Sequence, residues 1–170
     1  SASWGSNGKV YLAKFAGGRN TDIYEYMVVY AGTGPSLEMS RKLTKHSTIE
    51  TEPVLSPDGN KLAYISDRTG SPQIYLMDLS TKKSTRLTNK GNYNSSPSWS
   101  PDGTMIAYNG VRNSKSVIFR VLADDPLGFE TQVSPKGMQA ESPVWSSDGS
   151  IVAYQAKITG QQNWKIYYSL

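Results

Sequence analysis

The chain has 170 residues, with 18 Lys and Arg against 14 Asp and Glu, a formal charge of +4. That length suits one ordinary domain and not comfortably two. The excess charge is scattered, and its longest basic pair is Lys82-Lys83, so no arginine-rich arm for nucleic acid exists. Cysteine is absent, which excludes disulfides, thiol nucleophiles and Cys-based zinc sites. Apolar runs stop after a few residues, as at Tyr26–Ala31, whereas a spanning helix needs about 20. The 15 Gly, 9 Pro, 11 Tyr and 4 Trp point to strands and tight turns. The chain begins at Ser1 without Met and reads as a mature or excised piece, with any targeting segment out of view.

Self-similarity organises the elements in chain order. A worn first copy, Ala2-Ser3-Trp4-Gly5-Ser6-Asn7-Gly8, opens the chain. Three clearer copies follow: Glu52-Pro53-Val54-Leu55-Ser56-Pro57-Asp58-Gly59, Ser96-Pro97-Ser98-Trp99-Ser100-Pro101-Asp102-Gly103 and Ser142-Pro143-Val144-Trp145-Ser146-Ser147-Asp148-Gly149. Their Asp-Gly pairs lie 44 and 46 positions apart, and 51 positions separate Asn7 from Asp58. The longer first interval fits an insertion near 28–35. Each copy reads as a first strand and a hairpin turn, because Gly supplies the positive φ that such a turn requires.

Short second strands follow at Leu62-Ala63-Tyr64, Ile106-Ala107-Tyr108 and Val152-Ala153-Tyr154. Third strands come at Ile23-Tyr24, Ile74-Tyr75, Ile118-Phe119 and Ile166-Tyr167. Fourth strands come at Arg41–Thr44, Thr85–Thr88 and Thr131–Ser134. The last unit stops before its fourth strand and should leave an unpaired edge. The units are approximately 1–46, 47–90, 91–136 and 137–170. No stretch sustains a 3.6-residue period. Four strands in about 40–45 residues is the length of a propeller blade. The expected fold is therefore all-β: about four blades of four antiparallel strands, a partial or multi-chain β-propeller. Trp4, Trp99 and Trp145 are expected as wedges between blades.

Ser-Pro-Asp-Gly, an apolar-Ala-Tyr strand, Asp67-Arg68-Thr69-Gly70, Gln73–Leu79 and Arg86-Leu87-Thr88 together resemble the TolB-like (PD40, WD40-like) β-propeller repeat. Residues 52–100 match best, 101–154 match well outside 117–126, and 1–50 match in outline. The resemblance implies a non-enzymatic, periplasmic scaffold of a Tol–Pal-type envelope system. In that family a six-bladed propeller sits beside a smaller α/β domain. It docks a Pal-like lipoprotein on loops preceding each Pro-x-Trp strand. Carried over by that motif, the loops are 46–52, 91–96 and 138–142. The partner-binding candidates within them are His46, Glu50, Thr51, Glu52, Asn92, Tyr93, Asn94, Ser95, Gln139 and Glu141. The resemblance implies no cofactor, no nucleic acid and no direct membrane insertion. This chain departs from it in having about four units and no smaller domain. A fragment, a ring shared between chains through incomplete edges, or a four-bladed relative all fit. The same repeat is similar to propellers that gate prolyl-oligopeptidase-type peptidases, and to carbohydrate- or small-ligand-binding propellers.

Other candidate chemistry is thin. Asp58, Asp102 and Asp148 recur, but each belongs to a different unit, so a turn role is expected rather than a metal site. His46 is the one histidine, and no G-x-S-x-G elbow accompanies it, which leaves no catalytic triad and no catalytic residue to name. Asp67-Arg68 reads as a charged pair holding a loop. The stretch Ala31–Ser36 is glycine-rich but lacks Gly-Lys-Ser/Thr and opens no helix, so it reads as a flexible loop.

Overall fold

The structure, a computed structural model, describes residues 1–5, 8–18, 20–32 and 34–170. Ser6 and Asn7 of the worn first turn, and Thr33 of the glycine-rich stretch, lie outside the described residues. Among the described residues, fifteen strands form four antiparallel sheets in chain order. The first holds β1 (Ala2–Trp4), β2 (Lys9–Gly17), β3 (Asn20–Ala31) and β4 (Gly34–Lys42). The second holds β5 (Glu50–Leu55), β6 (Lys61–Ser66), β7 (Gln73–Asp78) and β8 (Ser84–Arg86). The third holds β9 (Asn94–Trp99), β10 (Met105–Arg112), β11 (Lys115–Leu122) and β12 (Thr131–Gln132). The fourth has three strands: β13 (Met138–Trp145), β14 (Val152–Ile158) and β15 (Lys165–Ser169).

Each sheet is a blade, and successive blades stack face to face. Alternate residues of a strand serve alternate neighbours, as the two-residue period of a strand dictates. Leu62, Tyr64, Tyr75 and Met77 meet Tyr11 and Ile23 of the first blade. Ala63, Ile74 and Leu76, from the other face of the same sheet, meet Trp99, Ile106 and Tyr108 of the third. Ala107 and Ile118 then meet Val152 and Tyr154 of the fourth. A central blade is thus covered on both faces, which is why β6 and β7 are almost continuously buried and do not alternate with polar residues. Each fully buried Ile, Leu or Phe in these layers contributes on the order of 1.5–3 kcal/mol.

The wedge expectation holds for two tryptophans. Trp99 is buried, and its Nε1 donates to the Val54 carbonyl of the preceding blade at 3.0 Å. Trp145 packs against the third-to-fourth blade layer. Trp4 departs from it, with 69% of its surface exposed. This residue occupies the face that would meet a preceding blade, and among the described residues no sheet covers that face.

The Asp-Gly turns share one local construction. Ser56 Oγ donates to Asp58 Oδ1, the Asn60 amide donates to the same oxygen at 3.1 Å, and Gly59 takes φ of +74°. Asp102 repeats this with Ser100 and Thr104, and Asp148 with Ser146 and Ser150. Hydrogen bonds from Ser146 and Ser150 hold the Asp148 carboxyl down at about 2. The first blade differs in its β3–β4 hairpin, where Val28 pairs with Leu37 and Tyr30 with Pro35. Its two arms run 12 and 9 residues, against 6 and 3 in the second blade. The extra length of the first unit is therefore paired strand, and most of the glycine-rich stretch belongs to it.

Candidate functional site

The loops that precede β5, β9 and β13 lead into one repeated irregularity. Pairing slips between Thr51 and Val54, between Asn109 and Ala107 opposite β9, and between Glu141 and Val144. Each slip is a bulge centred on the residue before a proline. Glu52, Ser96 and Ser142 take φ of +50°, +52° and +56°, left-handed values that cost a non-glycine residue about 1–2 kcal/mol. Pro53, Pro97 and Pro143 follow and are buried. The bulge re-aims the backbone N–H out of its own ladder. The Glu52 amide donates to Ser1 Oγ at 2.8 Å, and the Ser96 amide donates to Glu52 Oε2 at 2.6 Å. The second and third blades are thereby each stitched to the one before along their first strands. The three bulges line one groove of about 300 Å³ together with Ser1, Ala2 and Val54.

Behind the bulges stand two arginine pillars. Arg68 pairs with Glu50, donates to Tyr64 Oη and lies 4.3 Å over the Tyr75 ring. Asp67 Oδ1 accepts the Ile49 amide at 2.8 Å. Asp67 and Arg68 therefore do hold a loop, but each fastens the second–third connection to the segment before β5; neither pairs with the other. Arg112, 44 positions on, repeats the arrangement. It donates to Asn94 Oδ1 at 3.1 Å, pairs with Glu130 at 2.8 Å and stacks 4.6 Å over Phe119. Burial, reinforced by the Glu130 carboxylate, pushes the Tyr108 phenol up, so it stays protonated and donates to Glu130 Oε2.

The ten sequence candidates divide on this geometry. Glu50 and Asn94 have no exposed surface and Ser95 has 5%. Asn94 Nδ2 donates to Gln73 Oε1 at 2.8 Å and to the Lys90 carbonyl at 3.0 Å. These three shape the loops from inside and present nothing to a partner, because they are buried and their bonded polar atoms are turned into the protein: Glu50 toward Arg68, Ser95 toward Asn109, and Asn94 toward Gln73 of the second blade and Arg112 of its own. Thr51, Glu52, Gln139 and Glu141 are half-buried, and Asn92 and Tyr93 are exposed. His46 is exposed but lies apart from the groove. It lines a cleft of about 280 Å³ between the first two blades with Lys42, Lys45, Tyr64 and Lys82. The sequence reading passed over Ser96 and Ser142 as individual residues, and over Arg112. The available signal was positional: Ser96 and Ser142 precede the repeated Pro, and Arg112 sits one repeat beyond Arg68.

Residues 6–167 match the family model described as the TolB beta propeller domain, PD40. A stretch of 79 residues is 42% identical to a protein TolB homolog of Chlorobium luteolum, covering 46% of this chain and 16% of the relative. A stretch of 48 residues is 44% identical to the Tol-Pal system protein TolB of Bordetella pertussis, covering 28% and 10%. The matched stretches are thus a small part of these relatives. Among solved structures, TolB from Acinetobacter baumannii superposes with a TM-score of 0.72 at 24% identity, over 97% of this chain and 39% of that one. A puromycin-hydrolyzing peptidase of Mycobacterium tuberculosis superposes with a TM-score of 0.71 at 16% identity, over 99% and 27%. At such identities these two likenesses show the fold alone.

Proposed function

Because the chain belongs to the TolB β-propeller (PD40) family, we propose that it is a non-enzymatic docking propeller of the periplasmic Tol–Pal type. Its partner is a Pal-like lipoprotein domain, and the contact surface is the mouth formed by the loops before β5, β9 and β13. The observation that carries this reading is the axial row of three left-handed residues, Glu52, Ser96 and Ser142, each locked ahead of a buried proline. Strain of this kind persists only where the surroundings enforce it. Here it gives a rigid, preorganised groove, and preorganisation lowers the ordering cost of binding. Thr51, Glu52, Asn92, Tyr93, Gln139 and Glu141 supply the rim; Glu50, Asn94 and Ser95 hold its shape. An aromatic ring amid amides and carboxylates suits a protein surface.

The test is titration calorimetry of the chain with a Pal-like lipoprotein domain. Tyr93→Ala combined with Glu141→Lys is expected to weaken binding at least about tenfold, since tyrosines are enriched among the residues that carry binding energy and the charge reversal adds repulsion or removes attraction at the rim. Ser147→Ala, in an exposed turn on the opposite side, is expected to leave it unchanged. The reverse pattern would refute the choice of face. The likeness to the peptidase favours a second reading, in which the propeller gates access to a hydrolase domain. Binding to an isolated peptidase domain, with no affinity for the lipoprotein, would select that reading.

A further inference from the structure

A second surface lies between the first two blades, at their outer strands and independently of the mouth. Tyr64, Tyr108 and Tyr154 hold one position on the second strands of the second, third and fourth blades. Each is buried and packs against the blade before it. Leu43, Leu87 and Val133 hold one position just past the fourth strands of the first three blades, where their amides donate to the carbonyls of Ile23, Ile74 and Ile118.

At two of these three junctions the later blade bridges its tyrosine to the aliphatic carbonyl of the earlier one. Between the third and fourth blades, Ser169 Oγ donates to the Val133 carbonyl at 3.1 Å and lies 2.9 Å from Tyr154 Oη. Between the second and third, the connection 123–130 makes the bridge. The Leu127 amide donates to the Leu87 carbonyl at 3.0 Å, and the Glu130 carboxylate accepts the Tyr108 proton and pairs with Arg112. That connection is acidic, carrying Asp124, Asp125 and Glu130.

Between the first and second blades the bridge is missing. The second blade joins its third and fourth strands through 79–83 alone, against 123–130 in the third. Tyr75 pairs with Arg86 as Phe119 pairs with Gln132, so Ser84 holds the position of Glu130. A short hydroxyl thus stands where the third blade has a carboxylate. Among the described residues, no donor meets the Leu43 carbonyl and no carboxylate accepts the Tyr64 proton, although both residues are buried. Arg68 donates to Tyr64 Oη, which directs the phenolic proton elsewhere, and burial pushes that phenol up, so it keeps its proton. The space left open is the cleft of about 280 Å³ that Leu43, Tyr64 and Ser84 help to line. Its rim is basic. Lys42 is paired with Asp22, but Lys45 and Lys82 are exposed and have no ion-pair partner among the described residues. Buried polar groups demand partners, and an unbalanced positive rim selects a negative one.

We propose that this cleft binds an acidic peptide segment of a partner protein, in the way the 123–130 segment occupies the next junction. A Glu or Asp carboxylate accepts the Tyr64 proton, a backbone amide three residues earlier donates to the Leu43 carbonyl, and Lys45 and Lys82 meet the charge. A simple carboxylate answers the lysines and Tyr64 but brings no donor for Leu43.

The probe is a capped, fluorescein-labelled peptide of residues 123–130, Ala-Asp-Asp-Pro-Leu-Gly-Phe-Glu, titrated by anisotropy against the full 170-residue chain. The tethered copy keeps its own junction through its high local concentration, so the free peptide reports the open one. Saturable binding is expected, and Glu130→Gln in the peptide should weaken it about tenfold. Lys45→Glu with Lys82→Glu in the chain should weaken it at least about tenfold, whereas Lys115→Glu with Lys136→Glu, the same charge change on exposed residues elsewhere, should cost less than about twofold. Backbone amide resonances of 42–46 and 82–84 should shift on titration. Tyr93→Ala should leave peptide binding unchanged, so failure here and failure of the mouth reading are separable. Absence of saturable binding, equal losses from the two lysine pairs, or shifts confined to 127–130 or to the mouth loops would overturn the proposal. So would acetate binding as tightly as the peptide, since the occupant would then be a simple anion.

Discussion

Arg68→Met removes the guanidinium and keeps the length and apolar volume of the side chain. Its partner Glu50 has no exposed surface, and the second carboxylate oxygen of Glu50 has no hydrogen-bond donor even in the intact protein. Ser66 Oγ alone would remain, at 3.3 Å. Stripping one member from such a buried pair costs about 3–5 kcal/mol, because the remaining charge is neither solvated nor paired. Stacking lost over Tyr64 and Tyr75 adds about 0.5–2 kcal/mol. For a chain of this size 1 kcal/mol corresponds to about 2–4 °C, so Tm should fall by roughly 6 °C or more. The assay is urea and thermal unfolding followed by tryptophan fluorescence. Adding Glu50→Gln to Arg68→Met removes the stranded charge and should restore more than half of the loss. A single-variant cost under about 1 kcal/mol, or a double variant no better than the single, would refute the role given to the pillar.

Three further outcomes are expected. Asp148 and Asp78 are held near 2 by hydroxyl and amide donors, from Ser146 and Ser80 first, while unfolded aspartate titrates near 3.9. Their stabilisation is complete above about pH 4 and is lost as pH falls toward 2, so acid unfolding should steepen there; Asp148→Asn, read by circular dichroism against pH, should flatten that limb. Gly91→Ala should cost clearly more in chemical denaturation than Gly59→Ala: both have positive φ, but a Cβ at 91 would lie 2.7 Å from the Val111 carbonyl, whereas at 59 nothing lies within 4 Å. Ile74→Ala should lose about 2–5 kcal/mol and Ile166→Ala no more than about 0.5, although the two occupy the same register position; equal losses would mean that Ile166 is covered.

The repeat determined the fold class because a blade is a local object. Pro-Asp-Gly turns, four short apolar strands and a unit of blade length are all read within about 45 residues, and no distant contact is needed to recognise them. The same locality made the turn role of Asp58, Asp102 and Asp148 legible. What the residue pattern could not assign was which of two faces a side chain serves. Glu50 and Glu52 lie two positions apart at the start of β5, on either side of where its bulge begins; one is sealed under Arg68 and the other lines the axial groove. Asn94 and Tyr93 are adjacent, yet the first is anchored to Gln73 and the second stands in solvent. Trp4 and Trp99 share a motif and differ in exposure solely through the presence of a neighbouring sheet. Local sequence sets the strand and its alternation; only the stacking of blades decides which alternate is buried, because burial belongs to the pair of surfaces and not to the residue.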